Sequence, residues 1–382
     1  MTKKDLGVYV HIPFCARKCE YCDFVSGVAS REEQAYYIRV LLKEIRGFEA
    51  LGNLFTVRTI FLGGGTPSLL EPANLARIMR QLQDQYEIAE DAEITIECNP
   101  GTLTEDKLDA YREMGINRLS LGLQSADDEE LKLLGRIHTW QNFLDSYEMA
   151  RRKGFQNINV DLMSGLPTQT LDSWKNTLEK VAELDPEHIS AYSLTIEEGT
   201  PFYEKYAVGT GRNLLPKEKV EREMYHYTGS FLAEKGYHRY EISNYAKEGR
   251  ECRHNIIYWT GGDYVGFGVN ASSYLNGRRF TNPKDQKDYW ESARTAYANF
   301  RKMPPQSEQA TMEEFMFLGL RMMQGISVRE FEERFHLPYQ QVYGEPTQRM
   351  VRQGLLEQDG DRVRLTERGI DVSNQVLVEF LL

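Results

Sequence analysis

The stretch Val8-Tyr9-Val10-His11-Ile12-Pro13-Phe14-Cys15-Ala16-Arg17-Lys18-Cys19-Glu20-Tyr21-Cys22 sets the frame for the rest of the chain. Its first five residues form an apolar, β-branched run of strand type, and three thiols follow at C-x3-C-x2-C spacing on a loop at the strand's C-terminal end. Runs of the same texture recur at 59–63, 94–98, 118–124, 158–163 and 189–195. All are short and rich in Val, Ile and Leu, as strands covered on both faces are. Helical patterns separate them. The segment 31–50 carries Ile38, Leu41, Leu42, Ile45 and Phe48 on one stripe, and 102–114 opens on a Thr102/Glu105 capping box and stops at Gly115. The segment 141–153 stops at Gly154, and 172–184 ends before Pro186. Strands that alternate with helices imply right-handed crossovers and a parallel α/β sheet, either a partial six-unit (βα) barrel or an open doubly wound sheet. Five successive strand ends carry polar or special residues: the cysteines, Gly63 to Thr66, Glu97, Gln124 and Asp161. That favours the barrel, because parallel α/β folds build their sites at this face.

The chain has 382 residues, enough for two or three domains. Its 46 Lys and Arg against 57 Asp and Glu leave a net charge of −11, the wrong sign for a nucleic-acid binder. Five cysteines are too few for a secreted disulfide scaffold. No apolar run approaches the roughly 18 residues that span a bilayer, and the stretch before Cys15 is too short for a signal-peptide core. The expectation is a cytoplasmic protein with no integral membrane segment. Residues 1–205 read as the six-unit core, and 206–302 as a connecting extension rich in Gly, Tyr and Asn. After a linker at 303–309, residues 303–382 read as an α+β module whose helices at 313–323, 327–335 and 339–353, with a two-stranded wing, resemble a winged helix. Its acidic excess suits a cap or partner surface better than a DNA reader.

In a reducing compartment, clustered thiols point to a metal or redox site before a disulfide. Cys15, Cys19 and Cys22 can hold three irons of a [4Fe–4S] cluster and leave the fourth open for chemistry. Spacing also leaves open a zinc site completed by His11 or a distant ligand, and three incidental thiols. Cys98 and Cys252 read as small packing hydrophobes. The Gly63-Gly64-Gly65-Thr66-Pro67 run lets backbone approach a ligand, with a plain turn as the competing reading. Glu97 is a strand-end carboxylate or a rim ion pair; Gln124 can bind a ribose or cap a helix. Arg136 can clamp a carboxylate or lie on the surface. Asp161 interrupts an apolar strand, so a ligand or a buried partner must satisfy it.

Together, Tyr9-x-His11-Ile12-Pro13-Phe14, the C-x3-C-x2-C motif and Gly63-Gly64-Gly65-Thr66-Pro67-Ser68 resemble the radical S-adenosylmethionine (SAM) superfamily. More narrowly, they resemble the branch of oxygen-independent coproporphyrinogen III oxidases and HemW-type heme chaperones, and the resemblance covers essentially the whole chain. It implies a [4Fe–4S] cluster on Cys15, Cys19 and Cys22 and SAM chelated by the open iron. It also implies reductive cleavage to methionine and a 5′-deoxyadenosyl radical, and an electron donor such as a flavodoxin. It places SAM contacts at Tyr9, Gly64, Gly65, Thr66, Glu97, Gln124, Arg136 and Asp161, with Tyr21 and Phe24 shielding cluster and adenine.

Within that branch, the oxidases decarboxylate two propionates of coproporphyrinogen III, whereas the chaperones bind heme and deliver it to acceptor hemoproteins. Three features side with the chaperones. Phe24 stands where the oxidases resemble C-x3-C-x2-C-x-C; only 14 residues precede Cys15, where the oxidases carry an extension; and His254-Asn255-x-x-Tyr258-Trp259 matches the HNxxYW signature. A histidine beside aromatic rings is a sensible heme site, so His254 is the heme-binding candidate, a core or capping histidine being the alternative. The implied protein binds heme and lacks coproporphyrinogen oxidase activity; whether it is an enzyme at all stays open, as does peripheral membrane contact. Asn270 replaces a glycine usual in this branch at 266–273, which puts the local backbone geometry in question.

Overall fold

The computed structural model describes residues 3–382. Six parallel strands form its centre: β1 (Lys4–Ile12), β2 (Phe55–Gly64), β3 (Glu87–Cys98), β4 (Arg118–Gln124), β5 (Ile158–Ser164) and β6 (His188–Ser193). Each pairs with the next in chain order. Between them run α1 (Arg31–Gly47), α2 (Pro72–Gln85), α3 (Glu105–Glu113), α4 (Asp128–Leu133), α5 (Trp140–Arg152) and α6 (Leu171–Glu183). The expected partial barrel is there, and it stays open because β1 and β6 each accept a different neighbour. After α7 (Glu218–Glu234), β8 (Asn244–Ala246) adds antiparallel to β6, and β7 (His238–Glu241) antiparallel to β8. The short α8 (Arg253–Trp259) then crosses to the far edge, where β9 (Tyr264–Phe267) runs parallel to β1, followed by β10 (Ser272–Leu275) and β11 (Arg278–Thr281). The result is one 11-stranded sheet, extended at both edges by the segment that follows the sixth unit.

The strand faces differ from the sequence reading. Side chains alternate across a strand, and only the outer face is apolar: Val8, Val10 and Ile12; Ile60 and Leu62; Ile94 and Ile96; Leu119, Leu121 and Leu123; Val160 and Leu162. The inner face carries Tyr9, Thr59, Glu97, Arg118, Ser120, Asn159, Asp161, Ser190 and Tyr192. These strands are therefore not apolar on both sides, and the half-barrel has a polar lumen. Three helix details also differ. α2 escaped the reading although Leu75, Ile78, Met79 and Leu82 are buried at helical spacing behind Pro72. α3 is capped by Thr104, whose hydroxyl accepts from Lys107 N, and not by Thr102, which hydrogen-bonds Asn99 O at 2.7 Å instead. The third C-terminal helix breaks at Tyr343 into Tyr339–Val342 and Gly344–Arg352.

The C-terminal module has its own core around Phe331, Tyr339, Tyr343, Met350 and Val363. Its wing is three-stranded, because Ile326–Ser327 joins the hairpin of Leu356–Asp359 and Arg362–Leu365. No helix among the described residues is long and apolar enough to cross a membrane. The Asn270 departure is harmless: its φ of +56° is one that asparagine tolerates. The tight approach falls on Gly268, where a Cβ would lie 2.5 Å from Tyr37 Oη and 2.7 Å from His11 O.

One buried carboxylate fastens this edge of the sheet. Glu44, on α1, accepts from Gly268 N at 2.9 Å, from the Tyr289 hydroxyl at 2.6 Å and from Asn282 Nδ2 at 2.6 Å. No cation joins it among the described residues, and burial outweighs the three donors and pushes its carboxyl up to about 7. The folded chain therefore holds a proton here that the unfolded chain has released, so this group's contribution to stability falls as pH rises from about 4.5 through about 7. Glu44→Gln is expected to be less stable throughout, because an NH2 group that cannot accept replaces one of the two accepting oxygens. It should also lose about 3 kcal/mol of the parent's decline between pH 5 and 8, read from urea unfolding at each pH. An unchanged decline would show that Glu44 is ionised in the fold.

Candidate functional site

The cysteine loop leaves β1 and is pinned at its base, Cys15 N to Gly27 O and Gly27 N to Pro13 O, both 2.9 Å. All three thiols are free and half-buried. Two of them close a ring of side chains. The Thr66 hydroxyl reaches Cys15 Sγ at 3.6 Å and accepts from Asn99 Nδ2 at 2.8 Å; Arg136 Nη1 donates to Asn99 Oδ1 at 3.1 Å and approaches Cys19 Sγ at 3.8 Å. Arg136 Nη2 also donates to Gly122 O at 2.7 Å, and Arg136 Nε is buried with no partner. Gly122 makes room for this, since a Cβ there would lie 2.7 Å from the guanidinium. Burial is the main influence on the Cys22 thiol and raises it. Asn99, the centre of the ring, was missed in the sequence; its signal was its place directly after the Glu97-Cys98 strand end.

The ring suits a cluster better than a single ion. Among the described residues no three His, Cys, Asp or Glu side chains converge as one metal ion requires. His11 is committed elsewhere, Nδ1 to the Tyr9 hydroxyl and Nε2 to Val25 O, each at 2.9 Å. Three thiols spread along a loop, with a hydroxyl and a guanidinium against two of them, match the donor set and hydrogen bonding of iron–sulfur ligation.

The glycine run seats β2 against this loop. Gly65 N donates to Ile12 O at 2.8 Å and Thr66 N to Phe14 O at 2.7 Å. A Cβ at Gly65 would lie 2.8 to 2.9 Å from the Phe14 and Ile12 backbone, and one at Gly64, whose φ is +109°, would strike the His11 ring. These glycines thus admit the chain's own backbone. The Gly64 N–H is held by Glu97 Oε2 at 2.9 Å.

The other candidates divide between two levels. Thr66 and Arg136 line a pocket at the mouth with Cys19 and Asn99, whereas Tyr9, Glu97 and Asp161 line a cavity of about 170 Å³ in the lumen. Burial, then the Asp161 charge, pushes the Glu97 carboxyl up to about 7. Asp161 has its buried partners, accepting from Ser120 Oγ at 3.0 Å and Asn159 Nδ2 at 2.8 Å; burial raises its carboxyl and these donors oppose the rise. Gln124 ends β4 at a φ of +73°, with its amide near Arg136 and Asn99 over Gly122. Tyr21 packs on Phe202 with ring centroids 6.3 Å apart, and burial raises its hydroxyl to about 12. Phe24 is 61% exposed.

His254 is not on an open aromatic face. α8 forms the floor of the lumen, its first N–H groups, Arg253 N and His254 N, held by Glu93 at 3.0 and 3.1 Å. The His254 ring is 1% exposed, stacks on Phe61 and uses both nitrogens, Nδ1 with the Thr59 hydroxyl at 2.7 Å and Nε2 with the Tyr258 hydroxyl at 2.8 Å. Burial, assisted by the Arg118 charge, lowers its pKa to about 3, so it is neutral. No lone pair is left for a heme iron in this arrangement. Trp259 points the other way, packing near Met322 beneath the Arg321 guanidinium, 4.5 Å from its ring. The motif is a joint, with His254 and Tyr258 in the lumen and Trp259 toward the C-terminal module.

Residues 9–181 match the family model of the radical SAM superfamily, and 306–372 that of the HemN C-terminal domain. The chain is 37% identical over 382 residues to the heme chaperone HemW of Lactococcus lactis, covering 100% of this chain and 99% of that protein. It is 35% identical to the heme chaperone HemW of Escherichia coli, over 98% of each. Among solved structures it is similar to coproporphyrinogen III oxidase (HemN) from Escherichia coli, a radical SAM enzyme, with a TM-score of 0.85 and 25% identity over 99% of this chain and 90% of that one.

The floor assignment predicts that His254→Ala behaves as a core deletion. Loss of two hydrogen bonds and a stacked ring should cost about 2–4 kcal/mol in denaturant unfolding. A change within about 0.5 kcal/mol, the range of surface substitutions, would refute it.

Proposed function

The chain belongs to the radical SAM superfamily and, within it, to the HemW family, and from that premise we propose that it is a heme chaperone: it binds heme and hands it to acceptor hemoproteins, and it carries a [4Fe–4S] cluster and SAM. The observation that carries the cofactor half of this reading is the ring from Cys15 through Thr66, Asn99 and Arg136 to Cys19. Cys15, Cys19 and Cys22 would hold the cluster. Gly64, Gly65, Thr66, Gln124 and Arg136 at the mouth, with Tyr9, Glu97 and Asp161 below, would hold SAM. When bound, a reduced cluster supplies one-electron reduction of the sulfonium.

The chain's own groups suit that ligand. Glu97, held near the edge of ionisation by burial, becomes a full acceptor once a ligand ammonium lies beside it. Arg136 offers its unpartnered Nε–H to a ligand carboxylate while its other nitrogens stay anchored. The Thr66 hydroxyl and Arg136 place hydrogen-bond donors on two cluster sulfurs, which favours their thiolate form. An electron donor such as a flavodoxin, a cytoplasmic setting and peripheral membrane contact at the acceptor belong to the same proposal.

Likeness to the oxidase structure favours a second reading, a radical decarboxylase of coproporphyrinogen III. Against it stand Phe24, exposed where the oxidases carry a cysteine, and the HNxxYW motif. The chain reconstituted anaerobically with iron and sulfide, given SAM, dithionite and coproporphyrinogen III, should yield no protoporphyrinogen. Sustained turnover would establish the oxidase. The same preparation should titrate with heme to a defined stoichiometry, seen in the Soret band, and His254→Ala that remains folded should keep that endpoint. Selective loss of heme by a folded variant would return the ligand role to His254. Cys19→Ala should lose the cluster's broad visible absorption, and a full iron and sulfide content in that variant would overturn the ligand assignment.

A further inference from the structure

A separate concavity lies at the opposite end of the sheet from the thiol loop. It opens where β4 and β5 begin, a strand's length or roughly 20 Å from their C-terminal ends. Its volume is about 360 Å³, and no acidic side chain lines it. Two guanidinium groups do: Arg112, in the last turn of α3, and Arg250, in the loop between β8 and α8. Neither forms an ion pair among the described residues. The acids around this end of the barrel are held by other cations, Glu105 and Asp109 by Lys153, Glu187 by Arg151 and Glu251 by His238. Glu113 and Glu248, near the two arginines in sequence, are exposed and lie outside the lining. Arg112 is set in place beforehand. Its Nη1 donates to Lys153 O at 2.6 Å, passing over Gly154, where a Cβ would lie 2.1 Å from that nitrogen. Between the two strand starts, Asn157 Oδ1 is buried with no hydrogen-bond partner.

Two unanswered guanidinium groups in one cavity call for an oxyanion, and the surroundings permit it. The carbonyls that end α3 and α5 would repel an anion if they were free. They are taken: Gly115 N and Ile116 N bond Arg112 O and Tyr111 O, each at 2.9 Å, and Gly154 N and Phe155 N bond Arg151 O at 2.9 Å and Ala150 O at 3.1 Å. Among oxyanions, phosphate meets every group. A guanidinium matches it with two parallel hydrogen bonds. Near its second pKa of about 6 a phosphate monoester also carries an O–H, so it can donate to Asn157 Oδ1, or accept from that amide if it is turned. A carboxylate has no such donor. The space exceeds what phosphate alone fills, and Ile116 and Phe155 supply an apolar wall for a short carbon skeleton.

We propose that Arg112, Arg250 and Asn157 form a phosphate-group site at the base of the half-barrel, suited to a small phosphate monoester and separate from the mouth and lumen assigned to SAM. The site stands on the protein's own geometry and does not require the chaperone reading. The test is calorimetric titration of the full-length, cluster-reconstituted chain with glycerol 3-phosphate, inorganic phosphate and sodium chloride at matched ionic strength, with and without SAM. Glycerol 3-phosphate should bind saturably at one per chain, and saturating SAM should leave its affinity unchanged. Binding of inorganic phosphate with equal affinity would assign the site to the free anion, whereas tighter binding of glycerol 3-phosphate would assign it to a monoester. Arg250→Leu should weaken binding about tenfold, Arg250→Lys less, and Arg77→Leu, an exposed position on α2, not at all. Arg112→Leu should act like Arg250→Leu; because Arg112 also ties α3 to α5, Arg250→Leu decides if that variant does not fold. Absence of saturable binding by either phosphate, displacement by SAM, or unchanged affinity in Arg250→Leu would each overturn the site.

Discussion

A half-barrel with a polar interior must give most of the groups inside it a hydrogen-bond partner. That constraint organises most of this molecule. An unpaired buried polar group costs about 1–3 kcal/mol and a buried charge more, so the concave face is built as linked hydrogen bonds and not as independent side chains. Asn159 bridges Ser120, Asp161 and His188; His188 passes to Tyr240; Thr59 and Tyr258 bracket His254. Glu93 closes the set by holding the start of α8, which gives the lumen a floor. The mouth obeys the same rule through Thr66, Asn99 and Arg136. A ligand entering from the mouth meets fixed donors and acceptors, which is the preorganisation that a reactive cofactor site needs.

The outer half of this design was legible in the sequence, and the inner half was concealed by it. Val, Ile and Leu dominate the strands by bulk, so the apolar face read clearly. The polar face is spread over positions such as Arg118, Ser120 and Gly122 that lie between leucines in Arg-Leu-Ser-Leu-Gly-Leu-Gln. Strict alternation was visible there and signalled two unlike faces; density of apolar residues masked it. The thiol loop, the glycine run and Glu97 were picked out because they sit at strand ends, where chemistry is expected, and Arg136 and Asp161 through the family resemblance. Arg118 and Asn159 sit at strand beginnings, outside that expectation.

The placement of His254 has a different origin. Residues four apart share a helix face, so His254 and Tyr258 project together while Trp259 turns away. A short motif read as one aromatic cluster is, once wound into α8, two half-motifs on two surfaces. Gly7 records how closely the helix is seated: a Cβ there would lie 2.9 Å from the Ile257 side chain. The motif therefore serves the core sheet and the C-terminal module at once.

Two buried guanidinium groups in one half-barrel invite comparison. Arg136 is anchored at three points, to Gly122 O, Asn99 Oδ1 and Cys19 Sγ, and keeps its Nε–H free. Its position is set before any ligand arrives, and its charge is partly answered by the thiol loop. Arg118 has no such anchors. It is confined by packing, its buried Nε has no hydrogen-bond partner, and no ion pair answers its charge among the described residues. The first arrangement is that of a positioning group which shares its donors between protein and ligand. The second is fixed by packing alone and lines the lumen cavity.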